Sequence, residues 1–311
     1  MQLGLPYGVA NHCGLPSERD AVALIRTALS CGIREVDTAR AYGDAERRIG
    51  LALEIERGVG VDIVTKLDPM RELSANDPPR LAIEAASLSV QNSLRNLGRE
   101  KLDVLLLHRA DHREWWGGAI WRFLREERDE GRVGRIGVSV QSPAEALAVI
   151  GDPDVDHIQL PFNVLDHRWR ESQFVEAART RPDVVIHARS VLLQGLLIGI
   201  SHAAWPRLHG KVDPKKVITV LSSLAGTLHR TGLVDLCTAF ARAQGWIDGI
   251  IIGMESGNQL VANLECFCRP PLTASECAEV TRALPRCPEN LLDPSRWPVI
   301  RADDPMVFGP G

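Results

Sequence analysis

The chain has 311 residues, of which 45% are hydrophobic, and a formal net charge of −4, so it can bury the core of one large domain but has no basic face for nucleic acid. Its seven cysteines are odd in number and form no CxxC pair, which indicates reduced thiols rather than disulfides or a metal site. No apolar run approaches the roughly 20 residues that span a membrane, and Met1 opens no signal peptide, so we expect a cytoplasmic protein without membrane partners.

Short apolar runs recur along the chain and are separated by helical patterns. The runs lie at 33–36, 61–65, 102–107, 135–138, 157–158, 184–186 and 249–253. Helical periodicity covers 17–30, 45–56, 79–97, 117–130, 143–150, 172–180, 215–229 and 257–268. Apolar runs without alternation are typical of strands that are buried on both faces. Their regular alternation with helices predicts a parallel sheet, and this many units predict an α/β fold closed into a (β/α)8 TIM barrel.

The predicted barrel covers about residues 1–268 of a single domain that extends over 1–311. Only three or four residues are left for a first strand before Pro6 and Gly8 force a turn, so we expect that strand to be truncated. Residues 269–311 contain one more helix, at 274–284, and a proline-rich tail. Long polar loops follow several strands, and loops confined to one end of a barrel build its binding site. They lie at 71–79, 109–116, 162–169 and 191–213.

Each apolar run ends in a side chain that can donate, accept or carry charge. Asp37 follows the first run, with Tyr42 five residues later, and Lys66 and His108 end the next two. The carboxyl ends of parallel strands meet at one rim, where α/β enzymes place their chemistry. Taken singly, Asp37 could cap a helix, Lys66 could be solvated and His108 could be a satisfied core residue. The functional interpretation depends on all four residues occurring together in this order.

Several motifs together resemble one known family. They are Asp37-Thr-Ala-Arg-Ala-Tyr42, Val64-Thr-Lys66, Leu105-Leu-Leu-His108 and the stretches 131–139 and 251–264. In this order, from about residue 3 to residue 267, they are similar to the motifs of the aldo-keto reductase superfamily. The stretches 2–8, 159–166 and 189–195 look more like a bacterial branch associated with surface-polysaccharide and secondary-metabolite pathways.

The resemblance implies a nicotinamide cofactor, NAD(P)(H), across the top of the barrel and catalytic roles for Asp37, Tyr42, Lys66 and His108. Reduction of a carbonyl by hydride needs a proton for the developing alkoxide, and a phenol is a weak acid unless its anion is stabilised. The Lys66 ammonium would stabilise the anion of Tyr42, and Asp37 would keep Lys66 charged and oriented. His108 would position the carbonyl oxygen.

The resemblance also implies a set of cofactor-binding positions. They are Ser139, Gln159, Arg189, Ser190, Gly253, Glu255, Ser256, Gln259 and Asn263. Two positions depart from the family's pattern. Val140 stands where an asparagine usually holds the nicotinamide carboxamide, which leaves Gln159 for this task, and Arg189 stands where an aromatic ring usually stacks on the nicotinamide. These departures leave room for a changed reaction.

The choice between NADH and NADPH depends on the segment after the last strand. The family mostly prefers NADP(H) and binds its 2′-phosphate there with lysine or arginine, but these positions hold Gly253, Glu255 and Gln259. A carboxylate repels a 2′-phosphate and accepts hydrogen bonds from ribose hydroxyls. Arg269 could reach back to a phosphate, and Ser256 with the following helix start could bind one through backbone N–H groups. On balance we expect a preference that is relaxed or shifted towards NAD(H).

Four arginines after strand ends predict a locally positive mouth of the site. They are Arg40, Arg109, Arg168 and Arg189, and they favour an anionic or phosphate-bearing ligand. The alternative is that most of them pair with Asp111, Asp166 or Glu171.

Aromatic and histidine residues in the loops suggest two further features. Trp115, Trp116 and Trp169 could form a stacking platform for a sugar, or they could pack within the loops. His112 follows His108 by four residues, but it lies in a predicted loop, so we expect no metal pair.

We therefore expect an aldo-keto-reductase-like oxidoreductase that acts on a carbonyl or alcohol of a small polar, sugar-derived metabolite. Two other classes remain open. One is a non-redox barrel isomerase or lyase that uses Tyr42 and Lys66 for proton transfer, and the other is a cofactor-sensing protein without turnover. Cofactor binding distinguishes the first alternative, and turnover of a carbonyl distinguishes the second. The sequence leaves the substrate, the direction of the reaction and the oligomeric state open.

Overall fold

Seven parallel strands form one curled sheet in the computed structural model, which describes residues 3–5, 14–56, 58, 60–199, 205 and 212–297. Each strand pairs with its neighbours in the sequence. They are β1 (Glu35–Asp37), β2 (Asp62–Lys66), β3 (Leu102–Leu107), β4 (Val133–Ser139), β5 (His157–Pro161), β6 (Val185–Arg189) and β7 (Gly249–Ile250). Sequential order, parallel direction and intervening helices are the features of a (β/α)8 barrel.

Helices connect the strands and extend beyond the last one. They are α1 (Glu18–Ser30), α2 (Ala45–Ile55), α3 (Pro79–Leu97), α4 (Trp115–Asp129), α5 (Pro143–Ile150), α6 (Phe174–Arg179), α7 (Pro214–Thr227), α8 (Leu233–Arg242), α9 (Gly257–Cys268), α10 (Ala274–Ala283) and α11 (Glu289–Leu292). Short 3₁₀ turns lie at Ala110–Arg113, Leu193–Ile198 and Pro294–Arg296. Within the described residues, no helix combines the length and the apolar character needed to cross a membrane.

Capping residues explain where several helices begin. A side-chain oxygen accepts a hydrogen bond from a first-turn backbone N–H at the start of α1, α5, α7, α9 and α10. The capping residues are Ser17, Ser142, Asp213, Ser256 and Thr273. Such a cap stabilises a helix by about 1 kcal/mol. The bounds predicted for α5 and α9 agree with the structure for this reason.

Three helices differ from the sequence-based expectation, and one of them is the four-residue α11, which lies in the predicted proline-rich tail. α4 begins at Trp115 rather than at residue 117, and its first turn is broken because Trp116, Gly117 and Gly118 have positive φ angles of 53°, 61° and 74°. α8 was not predicted at all. Its buried residues include the polar side chains of Asp235 and Thr238, so polarity along this segment does not mark the exposed face of the helix. Where a truncated first strand was expected before Pro6, residues 3–5 form a turn, and residues 1 and 2 lie outside the described residues.

The core has a large layer between sheet and helices and a smaller one inside the sheet. Val64, Val104 and Leu106, from β2 and β3, form the separate inner cluster. Alternate residues of a strand point to the same face. Lys66 and His108 each follow a member of this cluster by two residues, so the strand pattern carries both side chains to the interior at the carboxyl end of the barrel.

Candidate active site

A cavity of about 640 Å³ opens at the carboxyl ends of the strands. Its wall includes Asp37, Tyr42, Lys66 and His108, the four residues that were predicted to be catalytic. A cavity of this size falls in the range of small-molecule sites. The fold therefore brings residues from three strand ends and one loop to a single place.

Asp37 and Lys66 form a buried ion pair in this cavity. Lys66 Nζ donates to Asp37 Oδ2 at 2.6 Å and to the Thr38 carbonyl oxygen at 2.8 Å. The Lys66 side chain is 1% exposed and the Asp37 side chain 10%. Burial, the largest single cause, acts to raise the pKa of Asp37, but the Lys66 charge together with the hydrogen bonds from Lys66 and Gln159 holds that pKa below its ordinary value. Asp37 therefore stays ionised and fixes the position of Lys66.

Two contacts cross the barrel interior and hold the strand that carries Asp37. Gln159 Nε2 on β5 donates to Asp37 Oδ2 at 2.7 Å, and His187 Nδ1 on β6 lies 3.1 Å from Glu35 Oε1. Burial raises the pKa of Glu35 to about 7, so the Glu35 carboxyl group can retain a proton near neutral pH. Among the described strands β1 pairs only with β2. The hydrogen bond from Gln159 on β5 therefore helps to fix Asp37 from across the barrel.

Tyr42 lies next to the ion pair and faces His108. Lys66 Nζ is 5.5 Å from the centroid of the Tyr42 ring, and the rings of Tyr42 and His108 are nearly perpendicular with centroids 6.0 Å apart. Gly4 packs closely against this loop, because a Cβ at residue 4 would approach the Tyr42 carbonyl oxygen to 2.0 Å. A phenol, an ammonium group and an imidazole thus share one part of the cavity.

The imidazole of His108 is neutral. Burial, followed by the nearby charges of Lys66 and Arg189, lowers the pKa of His108 to about 3. Its Nδ1 atom is buried and has no hydrogen-bond partner among the described residues. A neutral imidazole can donate a hydrogen bond to an oxygen atom in the cavity while it keeps its proton.

Seven of the nine predicted cofactor positions line the same cavity. They are Ser139, Arg189, Ser190, Gly253, Glu255, Gln259 and Asn263. The other two lie outside its wall. Gln159 is fully buried beside Asp37, and its Oε1 has no hydrogen-bond partner among the described residues. The Oγ atom of Ser256 accepts a hydrogen bond from Gln259 N and so caps α9.

Side chains within the segment after β7 order its backbone. Gln259 Oε1 accepts a hydrogen bond from the Glu255 N–H at 2.6 Å, and Ser256 Oγ accepts one from Gln259 N at 3.3 Å. Partial burial raises the pKa of Glu255. Gly253 is exposed, and a Cβ there would meet no atom within 4 Å. Residues 253–263 thus present one carboxylate and contain no lysine or arginine.

Arg189 is held in place at the end of β6. Its Nη2 donates to the Val140 carbonyl oxygen at 3.1 Å, and its Nη1 donates to Ser190 Oγ at 3.4 Å. The side chain of Val140 is fully buried and does not form part of the cavity wall. The two positions that depart from the family's pattern are thus linked, since the backbone of Val140 anchors the guanidinium group of Arg189. Within the described residues Arg189 forms no ion pair.

The other three rim arginines are paired with acids. Arg40 Nη1 lies 2.9 Å from Glu46, Arg109 lies 3.5 Å from Asp111, and Arg168 lies 2.8 Å from Asp166. The alternative, in which the rim arginines pair with acids, therefore holds for three of the four arginines. The partner of Arg40 is Glu46, which was not among the expected acids.

Several residues of the cavity wall were not predicted from the sequence. Arg71 lines the cavity and forms no ion pair within the described residues. It lies five residues beyond β2, so only its place in a long polar loop could have indicated it. Gln141 and Gln194 come from the loops after β4 and β6, and Asp293 and Pro294 come from the segment after α11. The C-terminal segment thus packs at the site.

The aromatic residues of the loops pack against one another and do not line the cavity. Trp169 is fully buried and stacks on Trp246 with ring centroids 6.3 Å apart. His112 is buried between Trp115 and Trp116, at centroid distances of 5.6 Å and 5.1 Å. In the part of the chain that the structure describes, no group of three side chains could hold a metal ion. Trp115, Trp116 and Trp169 therefore pack within the loops and do not form a stacking platform in the cavity wall.

Comparisons with known proteins give a consistent result. The sequence profile of the Aldo/keto reductase family matches residues 4–285. An uncharacterised oxidoreductase of Schizosaccharomyces pombe is 32% identical over 159 residues, which are 50% of this chain and 55% of that protein. Aldo-keto reductase YhdN of Bacillus subtilis is 27% identical over 189 residues, which are 60% of this chain and 56% of that protein. The chain thus spans little more than half the length of these curated relatives.

Solved structures resemble the chain over a larger share of its length. The holo form of aldo-keto reductase AKR11C1 from Bacillus halodurans superposes with a TM-score of 0.72 at 21% identity, covering 91% of this chain and 93% of that one. An aldo/keto reductase from Brucella melitensis gives a TM-score of 0.62 at 21% identity, covering 86% and 91%. At these identities the likeness shows the fold, and the predicted barrel is confirmed.

Proposed function

The chain belongs to the Aldo/keto reductase family, and on that premise we propose that it is an NAD(P)(H)-dependent oxidoreductase. It transfers hydride between the nicotinamide and a carbonyl or alcohol of a small polar, sugar-derived metabolite. One observation carries the proposal: Asp37 and Lys66 form a buried ion pair beside Tyr42, in a cavity that also contains the neutral His108. A proton donor, the charge that stabilises its anion and a hydrogen-bond donor for the substrate oxygen are thus close together.

Each residue of this group has a role that follows from its charge and contacts. The Tyr42 hydroxyl supplies the proton to the oxygen on which negative charge develops, and the Lys66 ammonium stabilises the phenolate that remains. Asp37 accepts a hydrogen bond from the Lys66 ammonium and prevents it from turning away. Neutral His108 orients the carbonyl oxygen towards Tyr42. The bound nicotinamide supplies the hydride.

The residues around the cavity suit a dinucleotide. The buried Gln159 Oε1 atom has no partner among the described residues, and we assign it to the N–H of the carboxamide, which the side chain of Val140 cannot bind. We assign Ser139 and Ser190 to the nicotinamide end as well. Asn263 and the segment after β7, with Glu255, Ser256 and Gln259, would hold the adenosine end. Here the helix start of α9 offers backbone N–H groups to a phosphate.

Two unpaired cations support an anionic substrate. Arg71 and Arg189 line the cavity, and neither forms an ion pair within the described residues. A guanidinium binds carboxylate or phosphate groups through paired hydrogen bonds. The glutamine side chains of Gln141 and Gln194 can contact hydroxyl groups in the same cavity. We therefore assign the substrate to the small hydroxylated carbonyl compounds that carry a carboxylate or phosphate.

Calorimetric titration with NADH and NADPH, followed by turnover assays on carbonyl compounds in matched anionic and neutral pairs, tests this function. We expect a dinucleotide to bind and the anionic member of a pair to be reduced with the lower KM. High salt and Arg71→Gln should each raise that KM, because both weaken attraction to the substrate charge. Failure to bind either dinucleotide would favour an isomerase or lyase, and binding without turnover would favour a sensor. A KM that responds neither to salt nor to Arg71→Gln would contradict the anionic substrate.

The cofactor preference gives a separate prediction. We expect wild-type protein to bind NADH at least as tightly as NADPH, because Glu255 repels a 2′-phosphate and no cation in 253–263 attracts it. Glu255→Arg should shift the ratio of the two Kd values towards NADPH on the order of tenfold, the effect of one charge-assisted contact. Glu265→Arg is the matched control, since Glu265 is exposed on α9, the helix that begins two residues after Glu255, and lies outside the cavity wall. Tighter NADPH binding by the wild type, unchanged in Glu255→Arg, would show that Glu255 does not face the ribose.

A further inference from the structure

Positive charges outnumber negative charges around His108. Three cations, Lys66, Arg189 and Arg71, act on His108 and lower its pKa together with burial, which is the largest cause, while Asp37 acts in the opposite direction. Asp37 is already bound to Lys66 at 2.6 Å. The region around His108 and Tyr42 therefore has an excess of positive charge.

The fixed position of Arg189 makes this excess permanent. One nitrogen of its guanidinium is bound to the Val140 carbonyl oxygen and another to Ser190 Oγ. Both partners are neutral, so neither contact cancels the charge. At this position an aromatic ring would present a neutral or slightly negative face to its neighbour. The guanidinium instead presents a full positive charge in a partly buried place, where screening by solvent is reduced.

A nicotinamide that reacts here has to lie within this field. Hydride and proton are added to the same carbonyl group, so the ring that exchanges hydride must share the cavity with Tyr42 and His108. The reduced nicotinamide ring is neutral and the oxidised ring carries one positive charge. Because like charges repel more strongly at short range and in low dielectric, the two redox forms should differ in affinity.

We propose that Arg189 makes the site selective for the reduced dinucleotide and thereby commits this protein to carbonyl reduction. The inference rests on the proposed function, which it extends from the reaction type to its direction. Carbonyl reduction consumes one reduced dinucleotide and one proton, and it releases the oxidised dinucleotide. Repulsion by Arg189 weakens binding of the oxidised form, so it opposes the reverse reaction and hastens product release.

Binding measurements without substrate test the proposal. Calorimetry gives the Kd of NADH, NAD⁺, NADPH and NADP⁺ for the wild type and for Arg189→Gln, Arg189→Lys and Arg109→Gln. We expect the wild type to bind the reduced form of its preferred pair at least about tenfold more tightly than the oxidised form, an effect of one nearby charge. Arg189→Gln should lose most of this difference and Arg189→Lys should keep it. Arg109→Gln should keep it as well, because Arg109 is paired with Asp111 outside the cavity wall.

The results distinguish this inference from the function on which it rests. If no dinucleotide binds to the wild type, the proposed function fails. If both redox forms bind equally well, or if Arg189→Gln retains the full difference, the function stands and the role of Arg189 is wrong. Loss of the difference in Arg189→Lys as well as in Arg189→Gln would show that shape rather than charge matters, which also overturns the proposal.

Discussion

Tyr42→Phe is expected to lower kcat for carbonyl reduction by at least about 100-fold, the usual effect of losing a general acid. The substitution removes one hydroxyl group and leaves the ring that packs at a right angle to His108. Since the phenol acts on the substrate oxygen, the Kd of the dinucleotide should change little. Steady-state kinetics and a binding titration on the same preparation measure the two quantities.

An unchanged dinucleotide Kd serves as the control for folding in this experiment. A fall in kcat together with a large rise in Kd would point to a disturbed cavity rather than to a lost proton donor. Turnover by Tyr42→Phe at the wild-type rate would contradict the assignment of Tyr42, and with it the role of Lys66 as the charge that stabilises the Tyr42 anion. His108 would then be the group that orients the substrate oxygen, although its lowered pKa leaves it as neutral imidazole, a weak acid, near neutral pH.

The sequence predicts the strand ends of this protein well because a local pattern determines them. The short runs that end at Lys66 and His108 are mostly apolar, with Asp62 and Asp103 near their starts, so the charged or polar residue that ends each run marks the rim. Lys66 and His108 are of this kind. Each also lies two residues after an inner-cluster residue, so the alternation of the strand points both side chains into the barrel. For these residues, local sequence and tertiary position give the same answer.

Contacts between distant segments are harder to predict, and the errors concern them. Gln159 and Asp37 are 122 positions apart, so no local pattern shows that the Gln159 amide group is bound to Asp37. The helix α8 was missed because its buried Asp235 reads as a polar surface residue. In the structure this carboxylate pairs with Arg230 and Arg269, which come from outside the helix. Arg269, a candidate for the cofactor phosphate, thus has an acidic partner.

The sequence also does not show which of the rim arginines have an acidic partner. Arg40, Arg109 and Arg189 all follow strand ends, and nothing local distinguishes them. Arg40 and Arg109 have acidic partners, whereas Arg189 is bound to a carbonyl oxygen and a hydroxyl group. Whether a cation is available to a ligand depends on this pairing. The count of arginines in a sequence therefore overestimates the positive charge of a site.

Lys66→Met is expected to cause the largest loss of stability among the single substitutions considered. It leaves the carboxylate of Asp37 buried with Gln159 but without its cation. Removal of one partner of a buried pair costs about 3–5 kcal/mol, because the remaining charge stays largely out of solvent and loses the opposite charge in direct contact with it. Asp37→Asn should also destabilise the protein, since the buried Lys66 ammonium then loses its negatively charged partner and keeps neutral acceptors such as the Thr38 carbonyl oxygen. Urea unfolding at pH 7 measures both free energies.

The pH dependence of stability has a definite sign. The pKa of Asp37 is lower in the folded state than its ordinary value of 3.8, so the folded protein binds fewer protons there than the unfolded chain. The contribution of the pair to stability is therefore complete above that ordinary value and is lost as the pH falls through the lower, folded-state value. Asp37→Asn has no such titration, so its stability should decline less than that of the wild type on acidification.

The double variant Lys66→Met/Asp37→Asn separates the structural role of the pair from its chemical role. Neither charge remains, so we expect its free energy of unfolding to recover most of the loss caused by Lys66→Met, as happens when a buried pair is replaced as a whole. Its kcat should nevertheless stay at least about 100-fold below that of the wild type, because the Tyr42 anion has lost its stabilising charge. Recovery of both quantities would mean that Lys66 only keeps Asp37 neutralised. Stability equal to the wild type in both single variants would mean that the two charges reach solvent despite the low exposure of their side chains.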